Sequence, residues 1–283
     1  MNKPNLVLPI NEQNLKTVQN KFQYFPFHLV EASPWPILLS FSLLNLTIGA
    51  VSYMHGFSSG GYILTLGFIL TVYCMILWFR DIVIEGSYLG HHTKEVKNGL
   101  MIGVLLFIVS EVFAFLSVFW AFFHSSLSPA IELGGTWPPL GITPLDPFAI
   151  PLLNTFLLLS SGVFITYGHH ALIAGNRKAA IDGVIFTIIL AFVFTALQYY
   201  EYSEAGFTFA DGVYGSAFYA STGLHGFHVI IGTLFIGVSL VRIINYQLTT
   251  KHHNGFESSI LYWHFVDVVW LFLFVAVYFW GNT

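Results

Sequence analysis

Charge is what this sequence has least of. Lys, Arg, Asp and Glu together make up 8% of 283 residues, against about 25% in a soluble globular domain, whose surface must be hydrated. A chain this poor in charge cannot clothe a water-facing surface, which excludes the soluble globular class. Its balance is mildly negative, 10 Lys and Arg against 14 Asp and Glu, so there is no basic footprint for nucleic acid. Cysteine is almost absent. Cys74 stands alone inside an apolar run, which excludes a disulfide framework and a cysteine-based metal centre. It reads as a small packing or lipid-facing residue. The polar N-terminus, MNKPNLVLPINEQNLKTVQNKF, lacks the apolar core of a secretory signal and the Arg- and Ser-rich, acid-free pattern of a transit peptide. The expectation is insertion where the chain is made, or targeting by its first span. Also missing are an internal repeat, which argues against an inverted-repeat transporter, and any phosphate-binding Gly-rich loop or nucleophile elbow.

What the sequence has is apolar length. Hydrophobic residues are 55% and aromatics 18% of the chain, and the mean hydropathy is +0.72. A membrane-crossing helix needs about 20 predominantly apolar residues. Seven stretches qualify, near 35–55, 61–79, 99–124, 149–171, 181–200, 216–245 and 258–280. Barrel-type alternation is absent, so the spans are helices. The basic residues orient them. Lys3, Lys16 and Lys21 precede span one, and Arg80, Lys94 and Lys97 lie between spans two and three. Arg177 and Lys178 follow span four, and Arg242 and Lys251 close span six. With seven crossings all ten fall on one side, which the positive-inside rule makes the cytoplasmic or matrix side, with the C-terminus opposite. The outer loops are assigned Glu132, Asp146, Glu201, Glu204 and Asp211.

Ionisable groups at membrane depth cost several kcal/mol, roughly, unless paired or neutralised, so each is a functional candidate. Glu111 sits midway along span three, in LLFIVSEVFAFLSVFW. Its neighbours one helical turn away are Phe107, Ile108, Ala114 and Phe115, and none of them can pair with it. Two readings stand side by side: a proton-exchanging carboxylate, or a protonated acid hydrogen-bonded to another helix or subunit. Span six opens with STGLHGFHVIIG, where His225 and His228 share a face at a spacing compatible with two metal ligands. No Cys or HExxH motif completes such a site, so hydrogen bonds across helices or to interfacial water are the simpler account. Span seven carries His264 and Asp267, three apart. An Asp holding a His tautomer suits a metal or proton site, and a self-neutralising pair that fixes helix rotation suits the sequence equally well. The doublets His91–His92, His169–His170 and His252–His253 fall on the basic side, suited to phosphate head groups or to interfacial anchoring. No metal site and no catalytic residue is assigned.

Several strings, in order, carry a resemblance: GHHTKEVKNGL, SEVFAFLSVFWAFFHSSLSPAIELGGTWPP, PLLNTFLLLSSGV, EYSEAGFTFADGVYGSAFYASTGLHGFHVIIG and YWHFVDVVWLFLFVAVYFWG. From SPWP (33–36) to the C-terminus the chain closely resembles subunit III of the haem–copper cytochrome c oxidases, mitochondrial type. The resemblance implies an all-α membrane protein, seven transmembrane helices in two bundles, the first two and the last five, with a lipid-filled V-shaped cleft. Applied here, that gives a polar segment 1–34 on the matrix side, a two-helix bundle 35–80, a connecting loop 81–98 and a five-helix bundle 99–283. It further implies no cofactor on this chain beyond bound phospholipids, with haem and copper in partner subunits, and subunit I as the main contact. The implied role is accessory, supporting assembly, lipid retention and proton uptake in a complex that couples cytochrome c oxidation by oxygen to proton translocation in the mitochondrial inner membrane. Residue by residue, Glu111 matches the carboxylate that reacts with hydrophobic carbodiimides. Glu85, His92 and Arg242 match polar positions near lipid, and Arg80 joins them as a head-group candidate. Phe79 departs from the pattern, since related chains often carry a second tryptophan after the one matching Trp78. The rival readings are a freestanding proton channel or transporter built on Glu111 and the histidines, and a metal-binding redox protein using His225, His228, His264 and Asp267.

Overall fold

The computed structural model describes residues 25–282. Lys3, Lys16 and Lys21, and most of the 1–34 segment, lie outside the described residues. Seven helices are long and apolar enough to cross a membrane: α1 (Trp35–Met54), α2 (Gly60–Ser87), α3 (Lys94–Ser126), α4 (Ile150–Ile173), α5 (Arg177–Glu204), α6 (Gly212–Ile244) and α7 (Asn254–Leu273). The last continues as a wider π turn over Phe274–Phe279 and a closing 3-10 turn. No strand occurs among the described residues. Helix α2 runs on through Asp81 to Ser87 and α3 begins at Lys94, so the segment between them is 88–93 and much of 81–98 is helical. The chain divides into two compact units, residues 1–100 and 101–283.

In the first unit α1 and α2 pair antiparallel along a seam of small residues. The buried residues of α2 are Gly60, Gly67, Thr71 and Cys74, a spacing of seven, four and three; those of α1 are Ser42 and Gly49. A Cβ on Gly67 would lie 2.5 Å from the Leu46 backbone nitrogen, and one on Gly49 would strike the backbone of Leu64. Hydrocarbon gives apolar side chains no reason to cluster, so close backbone approach supplies the packing energy instead. Cys74 belongs to this seam, its sulfur 3.9 Å from the Ser42 hydroxyl. It is a packing residue.

The second unit buries small and polar residues beside large ones such as Trp263, Trp270 and Phe194, and turns many other large apolar side chains outward. Helix α4 buries Asn154, Thr155, Ser161, Gly162 and Gly168, while Phe156, Val163 and Tyr167 are exposed. The α4–α5 hairpin closes where a Cβ on Gly183 would come 2.9 Å from the Gly168 Cα. Its tight turn places Gly175 at φ +80°, a conformation glycine adopts without strain. The Asn176 side chain then caps α5 by accepting from the Ala179 amide. Helix α7 is the most enclosed span. Three side-chain bonds tie it antiparallel to α4: Trp270 Nε1 to Thr155 Oγ1 at 2.9 Å, Trp263 Nε1 to Ser161 Oγ at 2.8 Å, and Thr166 Oγ1 with His264 Nε2 at 3.1 Å. Helix α3 is attached differently. Only Phe115, Phe122 and Ser126 of its residues are buried, and its links to α6 and α7 run through long side chains.

Candidate functional site

Glu111 has a partner. His228 of α6 places Nε2 2.8 Å from Glu111 Oε2, and its Nδ1 lies 2.8 Å from the Leu224 carbonyl, one turn back on its own helix. A carbonyl oxygen can only accept, so Nδ1 carries a hydrogen. The bond between Nε2 and Oε2 then requires one more proton, held on either atom. The pair is therefore imidazolium with carboxylate, or neutral imidazole with carboxylic acid, and has zero net charge in both forms. Moving the proton between the 2.8 Å-separated atoms leaves that charge unchanged, so both forms avoid the penalty of an isolated buried charge. Aromatic rings wall the imidazole: Phe115 at 4.9 Å between centroids, Tyr262 stacked at 6.1 Å and Phe265 at 6.2 Å. His228 is nearly enclosed, with 6% of its side chain exposed, whereas Glu111 keeps 23%. The carboxyl is the half of the pair open to its surroundings.

His225 shares the helix face of His228 but not its partner. Its Nε2 donates to the Val266 carbonyl of α7 at 3.2 Å, and its ring lies 5.0 Å from that of Trp270. The two histidines thus tie α6 to two different neighbours and do not converge on one point. His264 Nδ1 stands 3.5 Å from Asp267 Oδ2, with Asp267 almost buried and His264 at the rim. Gly162 of α4 makes room for that carboxylate, since a Cβ there would meet Asp267 Oδ2 at 2.5 Å. With Thr166 on the other ring nitrogen, the His264 imidazole is held at both ends. Both contacts lie on the α7 face turned toward α4.

Of the head-group candidates, Arg80 turns to its neighbour Asp81, at 2.9 Å. The other Asp81 oxygen accepts from the Trp35 indole at 2.5 Å, which joins the start of α1 to the end of α2. Glu85 and His92 gather with His28, their ligand-type atoms within 4.8 Å of one another. The His28 ring stacks on His91 at 4.9 Å, and the Thr93 hydroxyl donates to the Pro26 carbonyl. Arg242, at the end of α6 in the second unit, packs its guanidinium where a Cβ on Gly255 would stand.

A further carboxylate is enclosed by the fold. The sequence assigns Glu201 to an outer loop, but it lies in the last turn of α5 and is 2% exposed. It accepts from the Tyr278 hydroxyl at 2.6 Å and from Gln198 Nε2 at 3.4 Å, and the Gln198 carbonyl oxygen in turn accepts from Asn154 Nδ2. Tyr278 comes from the π turn that ends α7. The signal for this site was present in QYYEYSE, where Gln198 and Glu201 are three apart on one helix face. The apolar run ends at 200, one residue short of that face.

Comparison with known proteins agrees with this architecture. The family model for cytochrome c oxidase subunit III matches residues 25–282. A protein of Schizophyllum commune named cytochrome c oxidase subunit 3 is 61% identical over 262 residues, covering 93% of this chain and 98% of its own length. Proteins of the same name from Mycosarcoma maydis and Emericella nidulans are each 59% identical, over 95% and 93% of this chain and 100% and 98% of their own.

Proposed function

The chain belongs to the cytochrome c oxidase subunit III family, and on that premise we propose how it serves the oxidase of which it is an accessory subunit. The match over 25–282 carries this reading. The chain supports assembly of the complex, retention of phospholipid and proton uptake by subunit I, its main contact, and it holds no redox centre. Phospholipid is its only small-molecule ligand in this reading, with Glu85, His92 and Arg242 near the head groups. The protein is mitochondrial, spans the inner membrane, and keeps its N-terminus in the matrix and its C-terminus in the intermembrane space. The one-sided distribution of Lys and Arg supports that orientation.

Within this role, Glu111 and His228 act as a neutral proton-holding pair. The pair accepts or releases a proton at the Glu111 carboxyl, its exposed half, while His228 compensates the charge from behind. The same exposed carboxyl is the group that would react with a hydrophobic carbodiimide. Its place is beside proton uptake and not in the obligatory path, since the redox chemistry that drives translocation belongs to other subunits. The test is Glu111→Gln in the assembled oxidase. The expected outcome is loss of carbodiimide labelling on this chain, with normal assembly and lipid content and with proton pumping retained. Pumping abolished in an otherwise intact complex would overturn the accessory reading. A freestanding channel would instead make the purified chain conduct protons alone in liposomes.

A further inference from the structure

We propose a zinc-binding site at the end of the second unit where α4 finishes and α7 begins, formed by His169, His253 and Glu257. Each offers one ligand atom, and the three atoms lie within 4.8 Å of one another. His253 is already set for metal binding. Its Nδ1 donates to the Thr249 carbonyl at 2.9 Å, which fixes the tautomer and leaves Nε2 with a free lone pair. A ligating imidazole is ordinarily oriented in this way by a carbonyl on its other nitrogen. Glu257, one turn along α7, brings Oε1 to 3.6 Å from His253 Nε2. That distance is too long for a hydrogen bond. It is close to the edge of a zinc tetrahedron, about 3.3–3.5 Å for bonds of about 2.0–2.2 Å.

His169 supplies the independent observation. Its Nε2 is buried and has no hydrogen-bond partner, although a buried polar atom normally finds one. The ring is fixed edge-on to His253, 5.4 Å between centroids, and to Phe256 at 5.8 Å. Lipid head groups, the first explanation for these histidine doublets, would draw the rings apart toward the surface. Here one histidine from each of two doublets turns inward toward the other. Two imidazoles and one carboxylate are an established zinc donor set that leaves the fourth position for water. Glu257, with 36% of its side chain exposed, gives an ion its way in. Bound zinc would clamp the α4 terminus to the α7 N-terminus, far along the helices from the Glu111–His228 pair.

The experiment uses the intact oxidase complex, washed with chelator and dialysed against radioactive zinc at low-micromolar free concentration. Wild type, Glu257→Gln and His169→Phe are compared, so that zinc bound elsewhere in the complex cancels. One additional equivalent in wild type is expected, weakened at least tenfold in both variants, with zinc raising the thermal midpoint of wild type alone. Equal uptake and equal affinity in wild type and Glu257→Gln would overturn the site. Glu257 lies at the rim and its amide keeps the shape, so this variant decides the matter even if His169→Phe does not assemble.

Discussion

Two carboxylates of the second unit, Glu111 midway along α3 and Glu201 in the last turn of α5, have surroundings that differ in one chemical respect. Glu111 faces an imidazole, a group that can take its proton. Glu201 faces a phenol and an amide, Tyr278 and Gln198, which donate hydrogen bonds but take no proton at ordinary pH. The first pair can exchange its proton internally at zero net charge, and the carboxyl is partly open. The second is a closed acceptor, 2% exposed, that organises donors from α5 and α7. Burial alone therefore does not distinguish the two; the partner of Glu111 can hold its proton and the partners of Glu201 cannot.

The comparison breaks most visibly at Glu201. Replacing Glu201 with Leu leaves the buried Tyr278 hydroxyl hydrogen without its acceptor, while Gln198 Nε2 still donates to the Tyr278 oxygen at 3.2 Å. An orphaned buried donor costs about 1–3 kcal/mol, so a loss of about 2–3 kcal/mol is expected. The measurement is retention of the chain in the complex across a denaturing-detergent titration. Glu201→Gln, which keeps an acceptor oxygen, should recover most of the loss. A Glu201→Leu chain as firmly held as wild type would show that the network contributes nothing. Tyr278→Phe is the next smaller step. It removes the shorter of the two bonds to Glu201 and should cost about 1–2 kcal/mol in the same titration, with no effect on carbodiimide labelling at Glu111. Altered labelling there would mean that the two carboxylates communicate.

The helices were legible because bilayer length and apolar composition impose them: each of the seven apolar runs became a helix. Their ends were less legible. Hydropathy falls at the last turn of α5 just as it would at a loop, so sequence places Glu201 in solvent and ends the second span near Arg80, although α2 continues to Ser87. What buries Glu201 is Tyr278, 77 residues away, and no local pattern announces that. The same holds for Glu111. Its own helix offers no partner, and the correct partner is 117 residues distant, on a face already marked by the His225–His228 spacing but with no sign of which histidine looks where. By contrast the seam of α1 and α2 was written locally. Gly60, Gly67, Thr71 and Cys74 repeat at helical spacing, and the small size that makes them poor lipid contacts makes them good backbone contacts.

The finest test of the comparison is the strength of the Glu111–His228 bond itself. Hydrogen bonds between membrane helices average only about 0.6 kcal/mol in double-mutant cycles, with a maximum near 1.7, because the separated helices also find partners. Glu111 is partly open, so removing His228 leaves a carboxyl with room to find another partner. A cycle over Glu111→Leu and His228→Leu should therefore give a coupling of about 1 kcal/mol, in the same detergent titration. That is below the cost of emptying the Glu201 site. The ordering follows from exposure: 23% of the Glu111 side chain is open to its surroundings when its partner is lost, and only 2% of Glu201 is exposed. Strict additivity would mean that the 2.8 Å bond adds nothing to the attachment of α3. A coupling as large as the Glu201→Leu loss would mean that Glu111 is as closed as Glu201, and the distinction between an exchangeable and a fixed acid would fall.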